Sequence, residues 1–293
     1  MVFVNDVVWP GIVAGSMYAL VALGINVVER VTKVVNFAYA GFVLWAPLGV
    51  LILVRQFSVP VPLAFVLSTL GVVAIALVEE RIAVRPFLRR STAMPWLLST
   101  LAVGLILERL ADYQFSGQAQ NFPHNVGRRG FELWGVQTSR TQILVVVASL
   151  AIVTVVELAS RRTHVGRQLT AVAQDPDGAA SIGISVTRAS STVMASSAVI
   201  ASVTGYLAAP SLQVAPVSLG LPLLFNGFVA AAIGGMGSIP GSLAGGLALG
   251  IVLQFASANF GANFLNITLF GTLLVVYLIR PQGLFGHKVM RTV

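Results

Sequence analysis

Residues 225–250, FNGFVAAAIGGMGSIPGSLAGGLALG, are apolar enough to lie in lipid and carry no charge, yet they are poorly suited to one plain helix. Eight of them are glycine, and Pro240 lies near the middle. Glycine costs about 1 kcal/mol in a helix interior and proline about 3 kcal/mol. Interrupted helices are tolerated at membrane depth only inside a protein or along a water-filled cavity, so they point to transport paths. The alternative is close helix packing alone, since Gly246 and Gly250 have the small-xxx-small spacing.

The composition of the whole chain is that of a polytopic membrane protein. Of its 293 residues 56% are hydrophobic and only 10% are charged, whereas soluble domains carry about 25% charged residues. The 18 Lys and Arg residues lie singly or in small groups between apolar runs, and they build no basic face of the kind that binds nucleic acid. The chain has no cysteine, and its three histidines (His124, His164 and His287) are scattered, so we expect no metal site.

Apolar segments of about 20 residues predict an all-α polytopic fold with about eight transmembrane helices plus a broken or re-entrant hairpin. The first nine residues carry only Asp6, so the first apolar segment is expected to be retained as a span and not cleaved as a signal peptide. The predicted spans are residues 9–28, 37–54, 61–78, 95–111, 142–159, 190–209 and 266–279.

The glycine-rich stretch is too long for one crossing. As a single helix, residues 226–259 would extend about 51 Å, against roughly 30 Å of hydrocarbon. We therefore expect a hairpin that turns near residues 237–241, with Pro222 at the start of its first arm after an outer loop over 210–220.

The basic residues predict the orientation. Thirteen of the 18 fall in residues 29–36, 79–91, 160–189 and the C-terminal tail, and four (Arg55, Arg128, Arg129 and Arg140) fall on the other side. Because cytoplasmic loops carry the excess of Lys and Arg, we expect the N-terminus outside and the C-terminus in the cytoplasm. The hairpin agrees with this, since a single crossing would leave the basic tail outside.

No catalytic signature is present. The chain lacks GxxxxGK[ST], GxSxG, HExxH and EF-hand patterns, so it is predicted to be no enzyme and to have no ATPase site of its own. Its acidic residues fall near the predicted span ends, and structural roles such as a Glu157–Arg161 ion pair are expected for them. A path would then be lined by uncharged groups, which suits a small polar or zwitterionic solute. The candidate path residues are Ser16, Tyr18, Asn26, Asn36, Asn226, Gly234, Gly235, Gly237, Pro240 and Gly241.

The inner loop over residues 163–185 predicts two short helices, at about 167–174 and 176–182. Asp175 is suited to cap a helix that has Pro176 at its first position, and Gly183 is suited to end it in the left-handed conformation. Such a loop is either a contact surface for a partner or an amphipathic connector on the lipid surface. The residues expected to form the contact are Gly166, Arg167, Ala171, Asp175, Asp177, Ala180 and Gly183. The longest outer loop, 112–140, is either solvated or a second docking surface.

Six short motifs in order resemble the permease subunits of branched-chain amino-acid ABC importers, the LivH type, over nearly the whole chain. They are GSMYAL with ALG (15–24), VNFA (35–38), ER with RP (80–86), GR with IGI (166–184), GGMGSIPG (234–241) and RPQGLFG (280–286). The family commonly has His-Gly-Glu after Asn-Phe-Ala, where this chain has Tyr39, Ala40 and Gly41. Related permeases carry urea, short amides and aromatic acids, so these solutes remain alternatives to branched-chain amino acids.

The resemblance implies a single permease domain over residues 1–293 in a bacterial cytoplasmic membrane. It implies four kinds of neighbour: a second homologous permease subunit, two cytoplasmic ATPase subunits, an extracytoplasmic solute-binding protein and the lipid bilayer. The permease would need no cofactor, because ATP binds to the partner subunits. Loop 160–189 would transmit ATPase closure to the path, and loop 112–140 would face the binding protein. The alternatives are a carrier driven by an ion gradient, disfavoured by the lack of a mid-membrane acid, and a membrane-embedded enzyme.

Overall fold

Seven helical segments are long and apolar enough to cross a membrane among the residues that the computed structural model describes, namely 3–87, 95–121, 130–133, 136–211, 214–215 and 219–286. The α-helices are α1 Trp9–Thr32, α2 Tyr39–Phe57, α3 Val61–Glu79, α4 Pro95–Phe115, α5 Arg140–Arg162, α6 His164–Gln174, α7 Pro176–Ser181, α8 Val186–Ser211, α9 Gly220–Gly234, α10 Ile239–Phe260 and α11 Leu265–Ile279. A π-helical segment, Val4–Val8, precedes α1, and a 3-10 turn, Ala262–Phe264, precedes α11. Helix α3 is followed by a π-helical segment, Glu80–Val84, and then by a 3-10 turn, Arg85–Phe87.

Helix α1 is the centre of the bundle. In the most apolar part of the segment Val4–Thr32, 83% of the residues are buried, against 17% in α5 and 6% in the last segment, Ala262–Ile279. Helices α5, α6, α8, α9 and α10 all pack against α1. Small residues such as Gly11 and Gly15 let α10 approach it closely, because side chains at those positions would meet the α10 backbone. The outer helices present apolar side chains outward, as a lipid-facing surface requires.

The all-helical polytopic fold is confirmed, with boundaries that shift. Helix α9 is shorter than a full span, and α4, which carries Glu108, Arg109 and Asp112, is not one of the seven apolar segments. Helix α8 runs through Pro210, which the sequence had suggested for a loop. The fixed φ of proline, about −65°, is compatible with a helical backbone, and in the last turn its missing N–H removes a single hydrogen bond.

Four short strands were not predicted. Three of them, β1 (Gln120–Asn121), β2 (Phe131–Leu133) and β3 (Val136–Thr138), lie between α4 and α5, and β4 (Val214–Ala215) lies between α8 and α9. Strand β1 pairs antiparallel with β4, and β2 pairs antiparallel with β3. Several residues used in the orientation and metal arguments lie outside the described part of the chain: Arg89, Arg90, His124, Arg128, Arg129, His287, Lys288 and Arg291.

One end of the bundle carries the connections that matter below. Helices α6 and α7 lie at this end, together with the start of α8 and the turn between α9 and α10. The last turns of three helices meet them there: α1, α5 and α11. We call it the α6–α7 end.

Candidate functional site

The turn between α9 and α10, which we call the elbow, consists of residues 235–238. Gly235 and Gly237 have positive φ angles of 105° and 73°, a region that side-chain-bearing residues rarely adopt. The Ser238 hydroxyl then accepts a hydrogen bond from the Gly241 N–H (3.1 Å) and caps α10, with Pro240 in the first turn. The predicted hairpin is confirmed, and it turns a few residues earlier than expected because Gly241 already belongs to α10.

Asn26 of α1 holds the elbow through its side-chain amide. Its Nδ2 donates to the Ser238 carbonyl (3.1 Å) and to the Ser242 hydroxyl (2.8 Å), and its Oδ1 accepts from the Gly237 N–H (2.9 Å). The residue is fully buried. Asn26 therefore supplies partners to backbone groups that the interrupted helix leaves free, which is the condition for such a break in a membrane protein.

The segment after α11 closes the elbow from a second direction. The Leu284 and Phe285 N–H groups donate to the carbonyls of Ile233 (2.8 Å) and Gly234 (2.9 Å). These are carbonyls at the end of α9, which have no partner inside that helix. The RPQGLFG motif thus has a structural reason: Gly283, at φ 75°, packs directly on Gly235.

The glycines of the stretch are contact points between helices. A Cβ on Gly234 would lie 2.0 Å from the Gly241 carbonyl oxygen, and one on Gly245 would lie 2.1 Å from the Ala230 oxygen, so α9 and α10 touch backbone to backbone. A Cβ on Gly246 would lie 2.5 Å from the backbone nitrogen of Ala19 in α1. Both interpretations of the stretch therefore describe real features: a break at Gly235–Ser238 and small-residue packing on either side.

The remaining polar path candidates lie in different surroundings. Ser16 is buried, and its hydroxyl donates to the Ile12 carbonyl of its own helix (2.8 Å). Tyr18 is half-buried against apolar residues of α9 and α10. Asn226 of α9 is half-buried, and its side chain makes no hydrogen bond with any residue that the structure describes.

Asn36 lies in the irregular connection between α1 and α2. It is buried, donates to Glu79 Oε2 (3.1 Å) and accepts from the Ala38 N–H (2.8 Å). Among the five polar path candidates, Asn26 is the one that hydrogen-bonds to the elbow within the described residues. The assignment of these residues to a path stays a prediction.

The inner loop folds into the two predicted helices, α6 and α7, with α6 beginning at His164. Thr163 caps α6 by accepting from the Gly166 N–H (3.0 Å), and Asp175 caps α7 by accepting from the N–H groups of Asp177 and Gly178. Gly183 follows at φ 85°. The predicted capping chemistry is confirmed.

The two faces of this loop differ. Val172 and Ala179 are buried against α1 and α8. Gly166 is also buried, and it packs so closely on the end of α5 that a Cβ there would lie 2.3 Å from the Ala159 oxygen. The outward side has exposed apolar residues as well as polar ones. Its exposed members include Arg167, Asp175, Asp177, Ala180, Ile182 and Gly183, while Ala171 is half-buried.

Arg30, in the last turn of α1, joins this loop to the bundle. Its Nη1 donates to the Ser160 hydroxyl (3.0 Å) at the end of α5, and its Nη2 donates to the Thr170 hydroxyl (3.3 Å) in α6. Glu29, the residue before it, lies beside the elbow, since a Cβ on Gly237 would be 2.8 Å from its Oε2.

A buried carboxylate pair was missed by sequence reasoning, which had placed Glu79 and Glu80 near a span end. The helix continues past them to Phe87, and both are almost fully buried. Glu80 accepts from the hydroxyl of Ser190 (2.8 Å) and from the guanidinium of Arg85 (2.9 Å). The sequence carries no clear signal for this pair: side chains five residues apart do not face each other on an α-helix, and Arg85 reaches Glu80 because Glu80–Val84 is a π-helical segment. The predicted Glu157–Arg161 ion pair is present.

No group of three or more His, Cys, Asp or Glu side chains that could hold a metal ion occurs within the described ranges.

Comparisons with known proteins agree over most of the chain. Residues 8–279 match a family model described as branched-chain amino acid transport system / permease component. The chain is 28% identical over 289 residues to the high-affinity branched-chain amino acid transport system permease protein BraD of Pseudomonas aeruginosa, and 26% identical over 301 residues to LivH of Escherichia coli. Each alignment covers 94% of both chains. The fold is similar to that of PsaBC from Streptococcus pneumoniae in complex with Fab, at a TM-score of 0.50 and 13% identity over 96% of this chain and 95% of that one.

Proposed function

Because the chain belongs to the family of branched-chain amino acid transport system permease components, and is thus the transmembrane permease subunit of an ABC importer, we propose that its solute is a branched-chain or related amino acid. The observation that carries this is the match over residues 8–279, together with two relatives named for branched-chain amino acid transport that align over 94% of their length. An uncharged set of candidate path residues suits a zwitterion, whose two charges cancel.

The departure from the family motif bears on the solute. Tyr39 stands where relatives commonly have His, and its ring is fully buried against Gly24, where a Cβ would lie 2.3 Å from the phenolic oxygen. Tyr39 therefore fills the core between α1 and α2. The departure from the family motif at Tyr39 therefore changes the packing of the core. Because the buried ring takes a packing role, the departure gives no reason to prefer another solute, and an amino acid stays the proposed one.

The proposed partners are those that membership of a family of transport-system permease components implies. ATP is bound and hydrolysed by two separate cytoplasmic subunits, and the permease itself, which has no P-loop, needs no cofactor. A second homologous permease subunit completes the membrane part, and an extracytoplasmic binding protein delivers the solute to the side that carries the 112–140 loop.

The α6–α7 loop is the proposed contact with the ATPase subunits. Its support is a surface with exposed Ile182 (76% exposed) and Ala180 on two capped helices. A loop with capped helices holds its shape and so can transmit a push. Ala180→Arg, which adds a long charged side chain there, is expected to abolish ATP-driven transport or prevent assembly, whereas Ala262→Arg at the opposite end of the bundle should leave assembly intact.

Uptake measurements test the solute and the energy source together. The permease would be reconstituted in vesicles with the ATPase, binding-protein and second permease subunits of its transport system, and uptake of labelled leucine, phenylalanine and urea would be compared with and without ATP. We expect ATP-dependent uptake of leucine above that of urea. Uptake that follows an imposed proton or sodium gradient in the absence of ATP would overturn the proposal.

The orientation has its own test, which the cysteine-free sequence simplifies. We propose that the N-terminus lies outside and that the α6–α7 end faces the cytoplasm of a bacterial inner membrane, as the positive-inside rule suggests. A membrane-impermeant maleimide applied to intact spheroplasts should label Ala262→Cys, and should label Ala180→Cys only after the membrane is permeabilised. The reverse pattern would invert the topology.

A further inference from the structure

We propose that the last turns of α1, with Arg30 as the positioning residue, are the link through which movement of the α6–α7 loop reaches the elbow. This inference rests on the proposed function, because it takes the loop to be the part that the ATPase subunits move. Its basis is that one short piece of α1 contacts both regions, through two side chains, Asn26 and Arg30, that lie one turn apart on the same face of the helix.

The contact with the loop is made by one guanidinium. Arg30 donates to Ser160 in α5 (3.0 Å) and to Thr170 in α6 (3.3 Å), so a single side chain joins the helix that enters the loop and the helix that forms it. Arginine is suited to this, because its planar group presents several donors in a fixed geometry. A displacement of α6 relative to α5 must therefore either break a bond to Arg30 or carry Arg30 with it.

The contact with the elbow lies four residues earlier on the same helix. Asn26 bonds to Gly237, Ser238 and Ser242. The elbow also lies directly on Arg30, since a Cβ on Gly237 would be 3.6 Å from the Arg30 Cα. Residues 26–30 span only about 6 Å along the helix axis, which makes them a rigid connection between the two regions.

Apolar side chains also join α1 to the loop and to the start of α10, but they do not fix the position of α6 relative to α1. Val27 and Val31 of α1 belong to one buried cluster with Val172 of the loop and Ile239 of the elbow side. Such contacts are non-directional, so they allow sliding, whereas the two bonds of Arg30 define one position of α6. No hydrogen bond joins residues 164–185 directly to residues 234–242 within the part of the chain that the structure describes.

Arg30 could instead be a basic residue that only stabilises this end of the bundle. The two roles predict different results, because a stabilising residue changes the amount of folded complex, whereas a link changes how much solute moves for each ATP that is hydrolysed. The decisive quantity is the coupling ratio, defined as moles of labelled leucine taken up per mole of ATP hydrolysed.

The coupling ratio would be measured on the complete reconstituted complex. Arg30→Ala is expected to lower it at least fivefold, and Arg30→Lys is expected to restore part of it, since an ammonium can reach one hydroxyl more easily than two. The double variant Ser160→Ala/Thr170→Val removes the partners and leaves Arg30 in place. It should reproduce the Arg30→Ala loss, and combining all three changes should give no further loss.

Arg81→Ala is the matched control. Arg81 is exposed, lies at the same end of the bundle, and makes no hydrogen bond or ion pair with the described residues. Its coupling ratio should stay within twofold of wild type. A ratio within twofold of wild type in Arg30→Ala, or in the Ser160→Ala/Thr170→Val variant, would overturn the link, whereas wild type without ATP-driven uptake would overturn the proposed function instead.

A second readout needs no solute. With Met236→Cys as the one cysteine of the complex, the rate of maleimide labelling at the elbow would be compared with and without ATP and vanadate. We expect ATP to change this rate at least threefold in the wild-type background and less than 1.5-fold with Arg30→Ala. An equal ATP response in both backgrounds would show that the loop reaches the elbow by another route.

Discussion

Replacing Asn26 by Leu tests whether one amide side chain holds the elbow. The change keeps the branched arrangement of the side-chain heavy atoms and leaves no cavity, because leucine is the larger residue, and it removes three hydrogen bonds. Hydrogen bonds between helices in a membrane protein are worth about 0.6 kcal/mol each on average, which gives about 2 kcal/mol for the three. The Gly237 N–H would also lose its side-chain partner, and a buried unpaired group costs about 1–3 kcal/mol.

We therefore expect Asn26→Leu to lower the free energy of unfolding by about 2–4 kcal/mol. The assay is reversible unfolding in mixed micelles with increasing SDS, followed by the fluorescence of the four tryptophans. Ser16→Ala is the control, because Ser16 is equally buried but bonds only within its own helix, and a change within about 0.5 kcal/mol is expected.

A double-mutant cycle isolates the part that belongs to one bond. With Ser242→Ala, whose hydroxyl accepts from Asn26 at 2.8 Å, we expect a coupling energy of about 0.6 kcal/mol and no more than about 1.7 kcal/mol. Zero coupling, or wild-type stability in Asn26→Leu, would refute the reasoning and leave Asn26 free for a role in the path.

Two further substitutions have matched controls. Gly246→Ala should destabilise the protein by about 1–3 kcal/mol or prevent its expression, because its Cβ would lie 2.5 Å from the Ala19 nitrogen, while Gly271→Ala should be tolerated, since no atom lies within 4 Å of that Cβ. Equal stability of the two variants in the SDS titration would refute the close packing of α1 and α10. Glu80→Ala should cost about 1–3 kcal/mol, because it leaves the hydroxyls of Ser190 and Ser191 without their acceptor, while Arg85, 38% exposed, keeps contact with solvent. Glu157→Ala removes an exposed pair worth less than about 1 kcal/mol, and similar losses in the two would show that burial does not matter here.

The helices of this fold could be predicted because their causes are local. Hydropathy placed the spans, the length of the glycine-rich stretch required a turn, and Asp175 before Pro176 set the start of α7. Each of these signals lies within the segment that it determines. The ends of α8 and α9 shifted, and between these helices Val214–Ala215 pairs with a distant strand, Gln120–Asn121, which no local pattern indicates.

The polar sites could be predicted only in part, because their causes are distant. The sequence indicated Asn26 as a candidate path residue, but its partners lie more than 200 positions away, and polarity alone does not distinguish a water-lined path from an interrupted backbone. Glu80 resembled a span end for the same reason: charge suggests solvent, and the serines that bury it, 110 residues further on, are not visible locally.

The packing of the glycines also bears on how a path could open. Helices α1, α9 and α10 touch backbone to backbone at Gly234, Gly245 and Gly246, and the elbow is held by Asn26 and by the segment after α11. Close-packed contacts of this kind resist gradual bending and favour discrete rearrangements. We therefore expect α1, α9 and α10 to move together as one body, driven at the α6–α7 end through Arg30.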